Sequence, residues 1–261
     1  MSYVKLKHTL SSIALDAIAH PEDARVADAL LAYARRAREG HPVSLAALAR
    51  ATALSPGDVG RALAGTGLFD EHGDGDRDHI SLAAPYRPFT AYLRRQSART
   101  AVAVRLLRST HREGIPDEIW RAAALFNAGL FFECHEYLED VWRAASAPER
   151  EFYHGLVQAA AGSYHLEKAN VHGARTLLRK AVAKLEAYAP VHREVDVAAF
   201  VAGLRRVLVR LEKAPHAEGL GRGALPTLDL VESPRARRRR VRACADPAAP
   251  HVPRPPGSRA R

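Results

Sequence analysis

Only two cysteines occur in the 261 residues, Cys134 and Cys244, and their separation offers neither a disulfide framework nor a metal-knuckle spacing. Methionine is nearly absent, with one residue, and tryptophan occurs twice. No apolar run approaches the roughly 18 residues needed to cross a bilayer, which excludes a membrane-spanning helix. The start, with Lys5 and Lys7 ahead of Ile13-Ala14-Leu15, is cut short by Asp16 and fails as a secretory signal. These absences predict a cytoplasmic protein with reduced thiols. Lysine is scarce as well, at 6 against 33 arginines, so the formal charge of +10 is an arginine property. It is also local: residues 233–261 hold nine arginines against Asp246, a net +8, and the other 232 residues carry only +2.

What is present is a globular composition, 47% hydrophobic and 26% charged, long enough for one large or two small cores. The pattern predicts a mainly α protein: a small winged helix-turn-helix-like domain over 1–86, a linking helix over 87–115, a helical bundle over 116–215, and a disordered Pro/Arg-rich basic tail over 216–261. In the first region, Ser44 to Arg50 and Ser55 to Leu63 outline two short helices, the second with Ser55 as N-cap, Pro56 at the first helical position and Asp58 three residues after the cap. Gly67 to Asp70 and His79 to Leu82 then suggest a short hairpin. In the bundle the expected helices run from Pro116 to Ala145, Pro148 to Ala169, Val171 to Tyr188 and Glu194 to Ala214, with a capping box at Ser146 and Glu149 and a stop at Pro190.

The segment from Phe126 to Trp142 sets polar groups inside an apolar helical pattern. At about 100° per residue, His135 shares a stripe with Ala128, Phe131, Leu138 and Trp142, and Glu139 lies about 40° away. Glu133 and Asp140 fall opposite, which suits solvent, and Glu136 lies at the flank. On the next helix His154, Gln158, Ala161, Gly162 and His165 share one side. An antiparallel pair would bring His135, Glu139, Gln158 and His165 into a half-buried polar pocket, where unpartnered groups would cost several kcal/mol. Two imidazoles and a carboxylate (His135, Glu139, His165) could ligate a divalent metal. The zincin pattern fails, because Glu139 stands where a second histidine is required. The blander reading is a structural hydrogen-bond network with Glu136 and Trp142 at its edges, Asn170 as a helix-start residue and Cys134 as a small buried hydrophobe.

The pattern Phe126-Asn127-x-Gly129-x-x-Phe132-Glu133-x-His135-Glu136-x-Leu138-Glu139-x-x-Trp142, followed by Gly155-x-x-Gln158, His165, Asn170 and Gly173-Ala174, resembles the prokaryotic family catalogued as domain of unknown function 309, over roughly residues 118 to 185. Cys134 stands where members usually carry alanine. The resemblance implies an all-helical bundle and no agreed activity, substrate or cofactor.

Three functions are therefore weighed. A noncatalytic binding or adaptor protein, with a protein partner or small ligand, needs no unusual chemistry and carries the most weight. A DNA-binding regulator would place the Ser55 to Ala64 helix in a groove, yet that helix offers only Arg61, and residues 1–90 net −1 with an acidic wing (Asp70, Glu71, Asp74, Asp76, Asp78). Nucleic acid could still meet the basic tail. A metal-dependent hydrolase-like enzyme would rest on His135, Glu139 and His165 with Glu136 as acid or base.

Overall fold

Leu6 and Leu10 sit in one hydrophobic core and Ala14, Ala17 and Ile18 in another, so helix α1 (Ser2–Ala19) runs across both. The computed structural model describes residues 2–38, 41–73, 78–109, 114–213 and 225–231. The protein is mainly helical, with a small antiparallel sheet. Around the first core stand α2 (Arg25–Arg36), β1 (Val43–Ser44), α3 (Leu45–Ala49), α4 (Pro56–Ala64), β2 (Phe69–His72) and β3 (His79–Leu82). The sheet order is β1-β3-β2, with Val43 opposite Ile80 and Phe69 opposite Leu82. The buried Tyr33 hydroxyl accepts from the Leu82 amide at 2.7 Å and fastens α2 to the sheet. Ser55 caps α4 as expected, its hydroxyl accepting from the Asp58 amide at 3.1 Å.

Helix α5 (Thr90–Ser109) also serves both cores, through Leu93 at one end and Ala103 and Val104 at the other. The second core gathers α6 (Asp117–Ala128), α7 (Phe131–Ala144), α8 (Glu149–Glu167), α9 (Val171–Leu185), β4 (Val191–His192), β5 (Val195–Asp196) and α10 (Val197–Lys213). Among the described residues no helix is long and apolar enough to cross a membrane.

In its backbone elements the structure departs from the sequence reading in four places. The expected helix from Pro116 to Ala145 is broken at Gly129, which takes a left-handed conformation (φ 78°) and closes α6 by donating to the Phe126 carbonyl. The apolar run continues through this break, so periodicity alone conceals it. The capping box at Ser146 and Glu149 does not form: Pro148 occupies the N-cap, and the Glu149 carboxylate turns instead to His192, 3.0 Å away. The helix expected from Glu194 starts at Val197, behind a hairpin whose two-residue turn holds Arg193 and Glu194 at positive φ (45° and 61°). Neither residue signals such a turn by type; Arg193 is held by salt bridges to Glu118 at 2.5 Å and Glu149 at 3.7 Å.

The fourth departure is in the expected disordered tail. Residues 225–231 form an extended strap against the bundle, with Leu228 fully buried and Leu230 bridged to Val195. The arginine cluster 235–242, Arg254, Arg259, Arg261 and Cys244 lie outside the described residues, as do Asp74 and Asp76 of the expected wing.

Candidate functional site

Two ring contacts fix the register of α7 against α8. Phe132 meets Tyr164 at 5.4 Å, and Trp142 stacks on His154 at 4.6 Å, 27° from parallel. The helices are therefore antiparallel, with His135 level with Ala161 and Leu138 level with Gln158. On its other side α8 approaches α9 closely because Gly155 and Gly162 lack side chains: a Cβ on either would lie 2.8 Å from Leu185 or Leu178.

Within this hairpin the histidines and Glu139 pair with residues nearby in sequence. His135, its side chain 28% exposed, pairs through Nδ1 with Glu136 Oε1 at 3.1 Å. Glu139 pairs with Arg143 at 3.0 Å, and Asp140 reaches the same guanidinium at 3.3 Å. Gln158 Nε2 donates to His154 Nε2 at 3.0 Å, so the His154 proton belongs on Nδ1. Burial, then the Lys184 charge, pushes the His154 pKa down and favours the neutral ring. Asn170 Nδ2 donates to His165 Nδ1 at 2.9 Å while its carbonyl oxygen accepts from the Gly173 amide at 3.0 Å. Asn170 is thus the N-cap of α9 and orients His165 at the α8–α9 junction; a Cβ on Gly173 would collide with that imidazole. Replacing Asn170 by alanine is expected to cost about 1 kcal/mol, read from the urea midpoint.

The expected ligand set is consequently not assembled. His135, Glu136 and Glu139 bring ligand atoms within 4.8 Å of one another, but His165 is not in that group. An antiparallel register sets His165, at the far end of α8, nearer the start of α7 than His135. Three buried polar atoms in the hairpin have no partner among the described residues, Glu133 Oε2, Trp142 Nε1 and Gln158 Oε1. Cys134 is fully buried, its thiol donating to the Ala122 carbonyl at 3.5 Å, and burial pushes its pKa up, which suppresses the nucleophilic thiolate.

A second constellation was invisible in the helical wheel. Glu133, expected in solvent, is 1% exposed. The wheel assumes one buried stripe, whereas α7 packs against α8, α6 and α1, and Gln96 of α5 reaches Glu133. Gln96 of α5 donates to Glu133 Oε1 at 3.3 Å; Oε2 has no partner among the described residues. Around this carboxylate, the Lys7 ammonium lies 3.3 Å over the Phe132 ring, Arg99 bonds Glu167 at 2.7 Å, and Lys168 donates to the Tyr3 hydroxyl at 2.9 Å. Burial pushes the Glu133 pKa up, with Glu167 acting in the same direction and Lys7 and Arg99 against it. Burial and then the Glu133 charge push the Tyr92 phenol up as well. These groups join α1, α5, α7 and α8 where the two cores meet. Arg61, the candidate DNA contact, is exposed on α4 and tied to Asp58 at 2.5 Å.

No solved structure matches the chain. A segment of 67 residues is 36% identical to the "Uncharacterized protein YpuF" of Bacillus subtilis, covering 25% of this chain and 37% of that protein. The hairpin that carries His135, Glu139, Trp142, Gln158 and His165, with the helix before it, is the part of the chain that matches a family of known proteins: residues 119–177 fit the domain of unknown function DUF309.

Proposed function

We propose that the chain is a noncatalytic binding or adaptor protein, in which the His/Glu/Gln constellation is structural and the two cores form one presenting scaffold. The observation that carries this reading is local saturation: His135, Glu139, His154 and His165 each pair with a residue at most five positions away. Acid–base or metal chemistry needs such groups to converge on one reacting atom. The arrangement β1-α3-α4-β2-β3 supports a winged helix-turn-helix-like character for the first unit, with 1–86, 87–115 and 116–215 as the working division of the chain. DNA reading is disfavoured, since Arg61 is already neutralised by Asp58. The basic tail remains the natural site for acidic partners, nucleic acid included.

A metal-dependent reading has one observation in its favour, the cluster of His135, Glu136 and Glu139. A cation there would compete with Arg143 for Glu139 and with His135 for Glu136. Elemental analysis after dialysis of the full chain against Zn²⁺ and Mn²⁺, beside His135→Ala, separates the readings. The expected result is less than about one-tenth of an equivalent in both, since a three-ligand site would fill. One equivalent in the wild type that is lost in a folded His135→Ala variant would overturn the noncatalytic assignment. Anisotropy of labelled duplex DNA at low and moderate salt should show binding that disappears when the chain is ended at residue 232, leaving the first unit without DNA affinity of its own.

A further inference from the structure

The strap is held the way peptide-recognition domains hold a ligand. Its main chain pairs antiparallel with β5: the Asp196 amide donates to the Asp229 carbonyl at 2.9 Å, and the Val231 amide donates to the Glu194 carbonyl at 2.8 Å. The Asn127 side chain, from α6, clamps the backbone of one strap residue, accepting from the Leu228 amide at 2.8 Å and donating to the Leu228 carbonyl at 3.1 Å. Leu228 enters the core, and Pro226 rests on Gly203 of α10, where any Cβ would collide with the proline ring. Along the strap exposure alternates, with Thr227 and Asp229 outward and Pro226, Leu228 and Leu230 inward. Between the strap, Trp120 and Ala124 of α6 and Leu106 of α5 lies an open cavity of ≈370 Å³.

Strand addition to an exposed edge supplies affinity through the main chain, and pockets for alternate side chains supply selectivity. Nothing in these contacts depends on covalent continuity with α10; they read backbone, one proline and two leucines. We propose that the β5 edge, Asn127 and Gly203 form a peptide-binding groove for extended Pro-x-Leu-x-Leu segments of partner proteins, with residues 226–230 as a built-in competitor occupying it in cis. This gives the binding reading a partner class at a different site from the hairpin. Metal at His135 would therefore sink the noncatalytic assignment and leave the groove standing, whereas failure of strap displacement would sink only the groove.

The test uses a fluorescent peptide of residues 225–231 and the full chain. A tethered competitor acts at an effective concentration in the millimolar range. The wild type should thus bind the peptide weakly, and Leu228→Asp, whose own strap cannot seat, at least about tenfold more tightly. Adding Asn127→Ala to that variant should lose at least about tenfold. Absence of saturable binding by a Leu228→Asp chain with native circular dichroism, or binding indifferent to Asn127→Ala, would overturn the proposal. So would a stable dimer of the wild type that excludes the peptide, because the occupant would then be a second copy. Should Leu228→Asp fail to fold, hydrogen exchange of the wild type decides. The amides of Asp196, Leu228 and Val231 should exchange at least about tenfold faster than buried α8 amides, and equal rates would contradict an exchangeable strap.

Discussion

Replacing Phe152 with alanine is expected to lower the unfolding free energy by about 3–5 kcal/mol, the range for deleting a large aromatic from a closed core. Phe152 is among the largest fully buried side chains, and its ring meets Tyr188 at 5.3 Å and His192 at 4.6 Å. His192 also bonds Glu149 and pairs with Val195 in the β4–β5 hairpin, so the cavity would loosen the edge on which the strap is seated. Urea unfolding measures the loss, and faster exchange of the Val231 amide should accompany it. A cost below about 1.5 kcal/mol would mean that the α8, β4 and α9 end of the bundle collapses freely around the gap, contrary to the packing described.

Glu133→Gln should act in the opposite direction, stabilising the protein at neutral pH by about 1–3 kcal/mol, the cost of a buried polar group left unsatisfied. The sign follows from proton linkage. Glu133 has its pKa raised in the folded state by burial, so folding favours the protonated form. Its favourable contribution is complete below the ordinary carboxylate range and is lost as pH rises through the raised folded value. The advantage of glutamine should accordingly grow between acid and neutral pH. Thermal melts of both proteins across that interval check it; a difference that is independent of pH, or a glutamine variant less stable at neutral pH, would show that Lys7 and Arg99 compensate the ionised carboxylate.

Much of the bundle is legible in the sequence because its signals are local. Ser55 and Asn170 declare two helix starts by side-chain chemistry, Trp142 and Gln158 mark the α7–α8 contact, and the glycines of α8 mark its close approach to α9. What escapes is set by tertiary context. Glu133 reads as a surface acid until α1 and α5 cover it, since a wheel drawn for one neighbour cannot show a helix buried on two sides. The turn at Arg193 and Glu194 uses residues that do not favour positive φ and depends on Glu118, far away in sequence. The strap illustrates a different failure: the alternation of Pro226, Leu228 and Leu230 is a strand signal, yet it is short and lies between segments rich in glycine, proline and arginine. At the hairpin the residues were readable and their meeting was not. Whether His135 and His165 meet depends on register, fixed by the Phe132–Tyr164 and Trp142–His154 contacts.

That distinction between local saturation and convergence on one site is measurable as a coupling energy. In a double-mutant cycle of His135→Ala and His165→Ala, followed by urea unfolding of the full chain with and without Zn²⁺, groups that share no partner should give additive losses within about 0.5 kcal/mol under both conditions. A coupling energy above about 1 kcal/mol, or one that appears only with the metal, would show that the two imidazoles meet in a common site and would contradict the structural role assigned to them.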